Sequence, residues 1–266
     1  MRLNNESTRE VVINHQVNVS RIEKDIYELA KIGYNEEDKG IYRQGFTDAD
    51  MQARQWLMEK FRQEDMQARM DGAGNVIGRF GNEDAPAILV GSHIDSVPCG
   101  GIFDGTLGLL TGLECIRTIR ENNISLKHPV EVIATSEEEG RFGGMLGAQA
   151  LTGRLTLDWL ESARDPEGEL LKDAMAKYNL DYREAMHAKK PRDSMLAFIE
   201  LHIEQGPVLE TEKKSIGVVE GISGVFKWLV KLIGKADHAG TAPMNMRSDA
   251  FMGMADFAHE IHRIID

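Results

Sequence analysis

The sequence predicts an α/β protein in which a sheet is layered between helices as an α/β/α sandwich, followed by a second, smaller α+β domain. Three short apolar runs indicate buried strands, at 87–90, 130–135 and 197–201. Segments with helical periodicity lie between the first two runs and on either side of them. This alternation of strand and helix is typical of layered α/β folds and not of folds with segregated layers.

Helix and strand signals place the remaining elements of the larger domain. Ser20 and Glu23 form a capping box that predicts a helix ending at Gly33, and Thr47 is expected to cap a second helix. A third helix is expected at 105–122, where leucines and isoleucines share one face. Three further elements are predicted: a strand at 76–80, a short helix at 146–151 and a mixed helical stretch at 157–182.

The character of the sequence changes after residue 207, which predicts the second domain. Two strands are expected there, at 215–219 and 225–234, and a helix at 250–264. We therefore assign residues 1–213 to a metal-binding domain and residues 214–266 to the start of a small domain.

The composition excludes several classes of protein. A net charge of -12 argues against a nucleic-acid binder, because phosphate contacts need clustered Lys and Arg. No apolar run approaches the length of a membrane span, and the first twenty residues lack a signal-peptide core. Cys99 and Cys115 are the only cysteines, so no disulfide framework is expected. The cytoplasm is the expected location.

Histidine and carboxylate side chains follow each of the three predicted strands. His93 and Asp95 follow the first strand, a run of three glutamates at 137–139 follows the second, and His202 follows the third. The ends of strands are where open α/β sheets usually bind their ligands. Neutral imidazole and carboxylate groups are the ligands that zinc and similar divalent ions prefer. The pattern therefore predicts a hydrolytic metal site.

Two adjacent ions need one shared carboxylate and separate terminal ligands. His93, Asp104, Glu139 and His202 have the required chemistry, with Asp104 as the bridge and the others as terminal ligands. Each signal also has an ordinary interpretation. A single His at the end of a strand is more often solvated, a run of Glu is usually an exposed face, and Asp-Gly is commonly a turn. The coincidence of all three at successive strand ends favours the metal site.

Two carboxylates beside the predicted ligands are assigned other roles. Asp95 lies two residues beyond His93, where it is expected to accept the second N–H of the imidazole and fix its tautomer. Glu138 has no role as a ligand in this scheme, and a free carboxylate beside a metal-bound water is the usual general base.

Four motifs together resemble the M20-type metallo-aminohydrolases, and within them the branch of N-carbamoyl-L-amino acid hydrolase, β-ureidopropionase and allantoate amidohydrolase. The resemblance begins near residue 21 and runs to the end of the chain. It implies a zinc-exopeptidase-like fold with a small dimerisation, or lid, domain. The motifs are GSHIDSVP with FDG (91–98 and 103–105), EEEGRF (137–142), LHIEQGP (201–207) and HAGTAPM (238–244).

The resemblance implies a role for each predicted metal-site residue. His93 and Glu139 would be terminal ligands, Asp104 the bridge, His202 a ligand of the other ion and Glu138 the general base. The implied cofactors are two divalent ions, zinc in the first place, with manganese, cobalt or nickel as alternatives.

The resemblance also implies the substrate and the partner. Gln205 would contact a small ureido substrate, and His238 would enter the neighbouring subunit's site to polarise the scissile carbonyl, which implies a homodimer through the small domain. A turn histidine is the ordinary interpretation of His238. An N-carbamoyl-L-amino acid is the expected substrate, with allantoate as the alternative.

One departure from the branch concerns length. Its members return after the small domain to supply a further His ligand and a substrate-binding Arg, whereas this chain stops at Asp266 within a predicted helix. We therefore expect an N-terminal portion that binds metal weakly and turns over poorly. A non-catalytic dimerising homologue is the alternative from a different class of function.

Overall fold

The computed structural model describes residues 16–82, 85–224 and 228–265. The chain divides into two compact units, Met1–Gly206 and Pro207–Asp266. This boundary lies seven residues before the predicted boundary between residues 213 and 214.

The first unit contains six α-helices and five strands among its described residues. The helices are α1 (Val19–Ala30), α2 (Asp48–Gln63), α3 (Thr106–Glu121), α4 (Leu146–Thr152), α5 (Leu157–Ser162) and α6 (Leu171–Ala176). The strands are β1 (Gln67–Met70), β2 (Val76–Phe80), β3 (Ala87–His93), β4 (Val130–Thr135) and β5 (Met195–Ile199). Short 3₁₀ helices occupy Tyr182–His187 and Arg192–Ser194.

The five strands form one sheet in the order β1-β2-β4-β3-β5. Strand β3 runs parallel to both β4 and β5, whereas β2 pairs antiparallel with β1 and β4. The carboxyl ends of β3, β4 and β5 therefore lie at the same edge of the sheet.

Helices cover both faces of this sheet. The larger apolar core joins α1, α2 and α3 to one face, through residues such as Leu57, Leu113 and Val132. On the other face, Ile133 and Leu89 pack with Leu151 of α4. Successive side chains of β4 point to opposite faces of the sheet and so enter both cores, which explains why the strand is apolar apart from Glu131 and Thr135. The predicted α/β fold is confirmed.

Capping residues and apolar patterns in the sequence predicted most of the helices, but not all of the residues at which they begin and end. Thr47 caps α2 as predicted, by accepting the N–H of Asp50. The cap of α1 was wrongly assigned to Ser20, because Asn18 holds that position and its side chain accepts the N–H of Arg21. The helical stretch predicted at 157–182 is interrupted between α5 and α6, where Pro166 and Gly168 form a turn.

The second unit contains α7 (Val208–Glu212), a 3₁₀ helix at Met244–Met246 and α8 (Ala250–Ile265). The helix predicted at 250–264 is confirmed. The strands predicted at 215–219 and 225–234 are wrong for the described residues, since neither 215–224 nor 228–234 contains a strand. Residues 225–227 lie outside the described residues. The apolar side chains of these segments, such as Val218 and Ile222, are exposed, because a strand needs a paired neighbour and apolar composition alone does not supply one.

The described residues also bear on membrane insertion. No helix among them combines the length and the apolar character that crossing a bilayer requires.

A buried ion pair fixes α2 against the turn that precedes β2. Asp50 and Arg54 are both fully buried, and the Asp50 carboxylate accepts the Phe46 N–H at 2.7 Å as well as the Arg54 Nε–H at 3.0 Å. Arg54 Nη1 donates to the Gly74 carbonyl at 2.7 Å. The pair therefore links one helix to two loops.

Replacing Asp50 with Ala is expected to destabilise the protein by about 3–5 kcal/mol, because it leaves the Arg54 guanidinium buried without its counter-charge. The free energy of unfolding in urea measures the effect. Glu59→Ala is the matched control on the same helix, since the ion pair of Glu59 with Arg62 is exposed and is worth less than about 1 kcal/mol. Equal losses in the two variants would contradict the role given to the buried pair.

Candidate metal centre

The predicted metal-site residues of the first unit lie at one edge of the sheet. His93 is the last residue of β3, the glutamate run at 137–139 follows β4, and His202 follows β5. Asp104 precedes α3, whose first turn lies beside the end of β3, since a Cβ on Gly108 would lie 3.4 Å from Ser92. The shared edge follows from the parallel pairing of the three strands, which brings their carboxyl ends together.

The Asp104 carboxylate lies between two imidazoles. Its Oδ1 atom is 3.6 Å from His93 Nε2 and 3.3 Å from His202 Nε2, and the two ring centroids are 5.8 Å apart. Among the described residues, this buried Oδ1 has no hydrogen-bond donor. Two ligands bound tetrahedrally at about 2.1 Å from one ion are about 3.4 Å apart, so these separations match a shared cation.

The tautomers of the two histidines strengthen this interpretation. His93 Nδ1 lies 3.0 Å from the Asp95 carbonyl oxygen and His202 Nδ1 lies 2.9 Å from the Ile203 carbonyl oxygen. Each Nδ1–H therefore donates to the backbone, which leaves a lone pair on each Nε2. Three acceptor atoms then face one another with no hydrogen between them. A cation satisfies all three, so the residues fit a divalent metal ion.

A second group of possible ligands comprises His93, Glu138 and Glu139, whose ligand atoms lie within 4.8 Å of one another. His93 Nε2 is 3.9 Å from Glu138 Oε2. His93 thus belongs to both groups. The resemblance assigned His202 to the other ion, and in this structure His93 lies in one group with His202 and in the other with Glu139.

Charge and burial shift the pKa values of the groups in this centre. Burial, together with the negative charges of Asp104 and Glu138, raises the pKa of Glu139 to about 7, although His93 opposes this shift. Burial lowers the pKa of His93, but the carboxylates of Asp95 and Glu138 outweigh burial and raise it above its ordinary value. An excess of negative charge is the expected environment of a cation site.

Asp95 acts through its backbone as well as its side chain. The sequence predicted that its carboxylate would orient His93, but the backbone carbonyl accepts the imidazole N–H and the nearest carboxylate oxygen is 3.9 Å away. The carboxylate instead accepts the N–H groups of Glu138 at 3.2 Å and Glu139 at 3.0 Å. Asp95 therefore connects the ends of β3 and β4, although it is fully buried and burial raises the pKa of its carboxyl group.

Glu137 is a positioning residue to which the sequence assigned no role. Its carboxylate is buried and accepts the N–H groups of Phe142 and Gly144, and burial raises its pKa to about 7. Its backbone is left-handed, with φ of 51°. This conformation turns the chain so that the next two glutamates face the centre. The sequence signal available was a third carboxylate in a run otherwise assigned to the site.

Gln205 and His238 lie in different units. Gln205 Nε2 donates to Asp104 Oδ2 at 2.7 Å, so in this structure it contacts the predicted bridging ligand. His238 belongs to the second unit, where its Nδ1 accepts the Gly240 N–H at 3.0 Å. That bond places the imidazole proton of His238 on Nε2.

Residues 89–263 match the peptidase family M20/M25/M40, and this match extends over more than half of the chain. It contains every residue of the centre described above. The chain belongs to this family.

Curated and solved members of the M20 family resemble the chain over most of its length. An N-carbamoyl-L-amino-acid amidohydrolase from Paenarthrobacter aurescens is 42% identical over 92% of the chain and 60% of that protein. Allantoate deiminase 1 from Glycine max is 37% identical over 87% of the chain and 49% of that protein. A hydantoinase/carbamoylase family amidase from Burkholderia ambifaria superposes with a TM-score of 0.77 at 33% identity, over 94% of the chain and 61% of that structure. The chain therefore spans 60% or less of the length of these two curated relatives.

Two glycines of this M20 chain allow the centre to close. Gly105 has φ of 64°, and a Cβ there would lie 2.6 Å from the His93 ring. A Cβ on Gly108 of α3 would lie 1.9 Å from the Leu201 carbonyl oxygen, next to His202. The sequence gives no signal for Gly108, because a helical glycine does not indicate what packs on it.

Gly108→Ala is expected to weaken divalent-ion binding about 10- to 100-fold, the range seen when the support of a ligand is disturbed. The added methyl group must displace the Leu201 carbonyl and with it His202. Titration calorimetry with Zn²⁺ or Mn²⁺ measures the change. Gly112→Ala is the matched control on α3, because the nearest atoms to a Cβ there belong to side chains and not to the backbone, namely those of Val90 at 3.2 Å and Val132 at 3.6 Å. Unchanged affinity in Gly108→Ala would contradict the proposed packing.

Proposed function

We propose that the protein is a metal-dependent hydrolase of the C–N bond of a ureido group, acting as an N-carbamoyl-L-amino acid amidohydrolase. The convergence of His93 Nε2, His202 Nε2 and Asp104 Oδ1 in a chain of the M20 family is the observation that carries the proposal. The names of several relatives support this choice of substrate, among them amidohydrolases from Paenarthrobacter aurescens and Geobacillus stearothermophilus.

Two divalent ions, zinc in the first place, are the proposed cofactors. Nitrogen and carboxylate ligands suit zinc, and also manganese, cobalt and nickel. His93, Asp104, His202 and Glu139 would hold the ions, with Asp104 shared between them. When bound, the ions would supply Lewis-acid polarisation of the ureido carbonyl and would favour ionisation of water near neutral pH.

Glu138 is proposed to move the proton in this reaction. It accepts a proton from the attacking water, whose oxygen adds to the carbamoyl carbon, and it returns the proton to the nitrogen that leaves. The Asp95 carboxylate holds the Glu138 backbone N–H, which fixes the position of the base relative to His93. Hydrolysis with one water gives the free amino acid, ammonia and carbon dioxide, so atoms and protons balance.

His238 is proposed to donate a hydrogen bond to the scissile carbonyl in the site of a partner subunit, in a homodimer formed through the small domain. Its tautomer supports this role, because the Gly240 N–H occupies Nδ1 and leaves Nε2–H as a donor. A donor aimed at a developing oxyanion stabilises the transition state. Gln205 is proposed to bind the ureido end of the substrate.

Allantoate is the second candidate substrate, because the allantoate deiminases of Glycine max are also similar to the chain. Ammonia release by the metal-loaded protein distinguishes the two candidates. We expect faster release from N-carbamoyl-L-amino acids than from allantoate, and none after removal of the ions with a chelator. Faster release of ammonia from allantoate would make allantoate the assigned substrate in place of N-carbamoyl-L-amino acids. Equal rates with and without the chelator would overturn the metal-dependent mechanism.

A further inference from the structure

The two oxygens of the Asp104 carboxylate have different surroundings. Oδ1 faces two imidazole nitrogens and has no hydrogen-bond donor among the described residues. Oδ2 accepts the Gln205 side-chain N–H at 2.7 Å. The carboxylate therefore presents one oxygen that is open to a cation and one that is already bonded.

In its common bridging mode, a carboxylate gives one oxygen to each of two ions. The amide of Gln205 bonds the second oxygen, so an ion that takes Oδ2 has to displace this amide. The amide carries no negative charge, and its N–H is repelled by a cation. Binding of the second ion therefore breaks the hydrogen bond from Gln205 to a charged acceptor, whereas binding of the first ion leaves this bond intact.

The position of Gln205 suits it for this contact. It lies three residues after His202 on the same segment, and its backbone is left-handed with φ of 54°. This turn directs the amide back towards Asp104. One short segment therefore contains both Gln205, which bonds Asp104 Oδ2, and His202, which faces Asp104 Oδ1.

We propose that Gln205 sets the order in which the ions load: the first ion binds at His93, Asp104 Oδ1 and His202, and the second binds more weakly because it must displace the Gln205 amide from Asp104 Oδ2. The proposal rests on the two-ion site of the proposed function. Once the second ion has displaced the Gln205 amide from Asp104, the amide can bind the ureido group of the substrate. Gln205 is therefore able to bind substrate only when both ions are present.

Titration calorimetry of the metal-free protein with Mn²⁺ tests this order. The unmodified protein is expected to bind in two steps whose dissociation constants differ at least tenfold. Gln205→Asn, which keeps the amide but shortens the side chain and tolerates a left-handed backbone, is expected to tighten the second step about tenfold and leave the first within about threefold. Gln205→Ala is expected to behave in the same way.

Gln52→Asn, an exposed position on α2, is the matched control and is expected to change neither step. A second step that is unchanged in both Gln205 variants would overturn the proposal while leaving the two-ion site intact. Weakening of both steps would also overturn it, because Gln205 would then only support the ligands. Binding of one ion or none by the unmodified protein would overturn this proposal together with the two-ion site on which it rests.

Discussion

Replacing Asp104 with Asn is expected to weaken binding of divalent ions more than 100-fold. Its Oδ1 atom lies between His93 and His202, at 3.6 and 3.3 Å from their Nε2 atoms. An amide of the same shape removes the negative charge that offsets the desolvation of the cation. Substitutions that only disturb the support of a ligand cost about 10- to 100-fold, so loss of the shared ligand should exceed that range.

Thermal unfolding gives a second measure of the Asp104→Asn variant. A ligand that binds only the folded state raises stability by RT ln(1 + [L]/Kd), which is about 2.7 kcal/mol at a concentration 100 times Kd. Saturating Zn²⁺ should therefore raise the melting temperature of the unmodified protein but not that of the variant. Asp158→Asn, at an exposed position on α5, is the control that should retain the shift. A full shift in Asp104→Asn would contradict the role of this carboxylate.

The sequence predicts the framework of this centre because its signals are local. Runs of buried apolar residues mark β3 and β4, and the chemistry-bearing residues follow them directly. The apolar pattern also predicts two buried faces, which β4 has. Once two parallel strands end at one edge, the convergence of His93 with the glutamates that follow β4 is a consequence of topology.

The features that the sequence does not predict depend on partners distant in the chain. Strand β1 has only four residues and no apolar run, and it forms because β2 lies beside it. The opposite holds for 215–219, where an apolar pattern without a paired neighbour leaves Ile216 and Val218 exposed. Propensity in strands reports packing and burial more than backbone preference, so both errors have one cause.

Atomic detail within the centre is also beyond the sequence. Residue types identify Asp95 as a partner of His93, but only the structure shows that its backbone carbonyl makes the contact. In the same way, Gln205 is identified as a residue of the site, whereas its bond to Asp104 Oδ2 depends on a left-handed turn. Which oxygen or nitrogen atom forms each hydrogen bond decides which lone pairs remain for a cation. The spacing of residues in the sequence does not encode this choice of atoms.

Glu138→Gln is expected to separate catalysis from metal binding. The glutamine side chain has nearly the same shape but cannot accept a proton from water, so the rate of ammonia release from N-carbamoyl-L-amino acids should fall about 10²- to 10⁴-fold. The number of bound ions should not change, because His93, Asp104, His202 and Glu139 retain all their ligand atoms. Steady-state rates and metal analysis of the same preparation measure the two quantities.

The metal content of this variant decides between two roles that the geometry allows for Glu138. Its Oε2 atom lies 3.9 Å from His93 Nε2, in the same group of possible ligands as Glu139. A ligand and a general base would both lose activity on substitution, but only a ligand would lose an ion. Glu139→Gln provides the comparison, since it should lose one of the two ions. If Glu138→Gln lost an ion as Glu139→Gln does, Glu138 would be a ligand and the proton transfer would belong to another group.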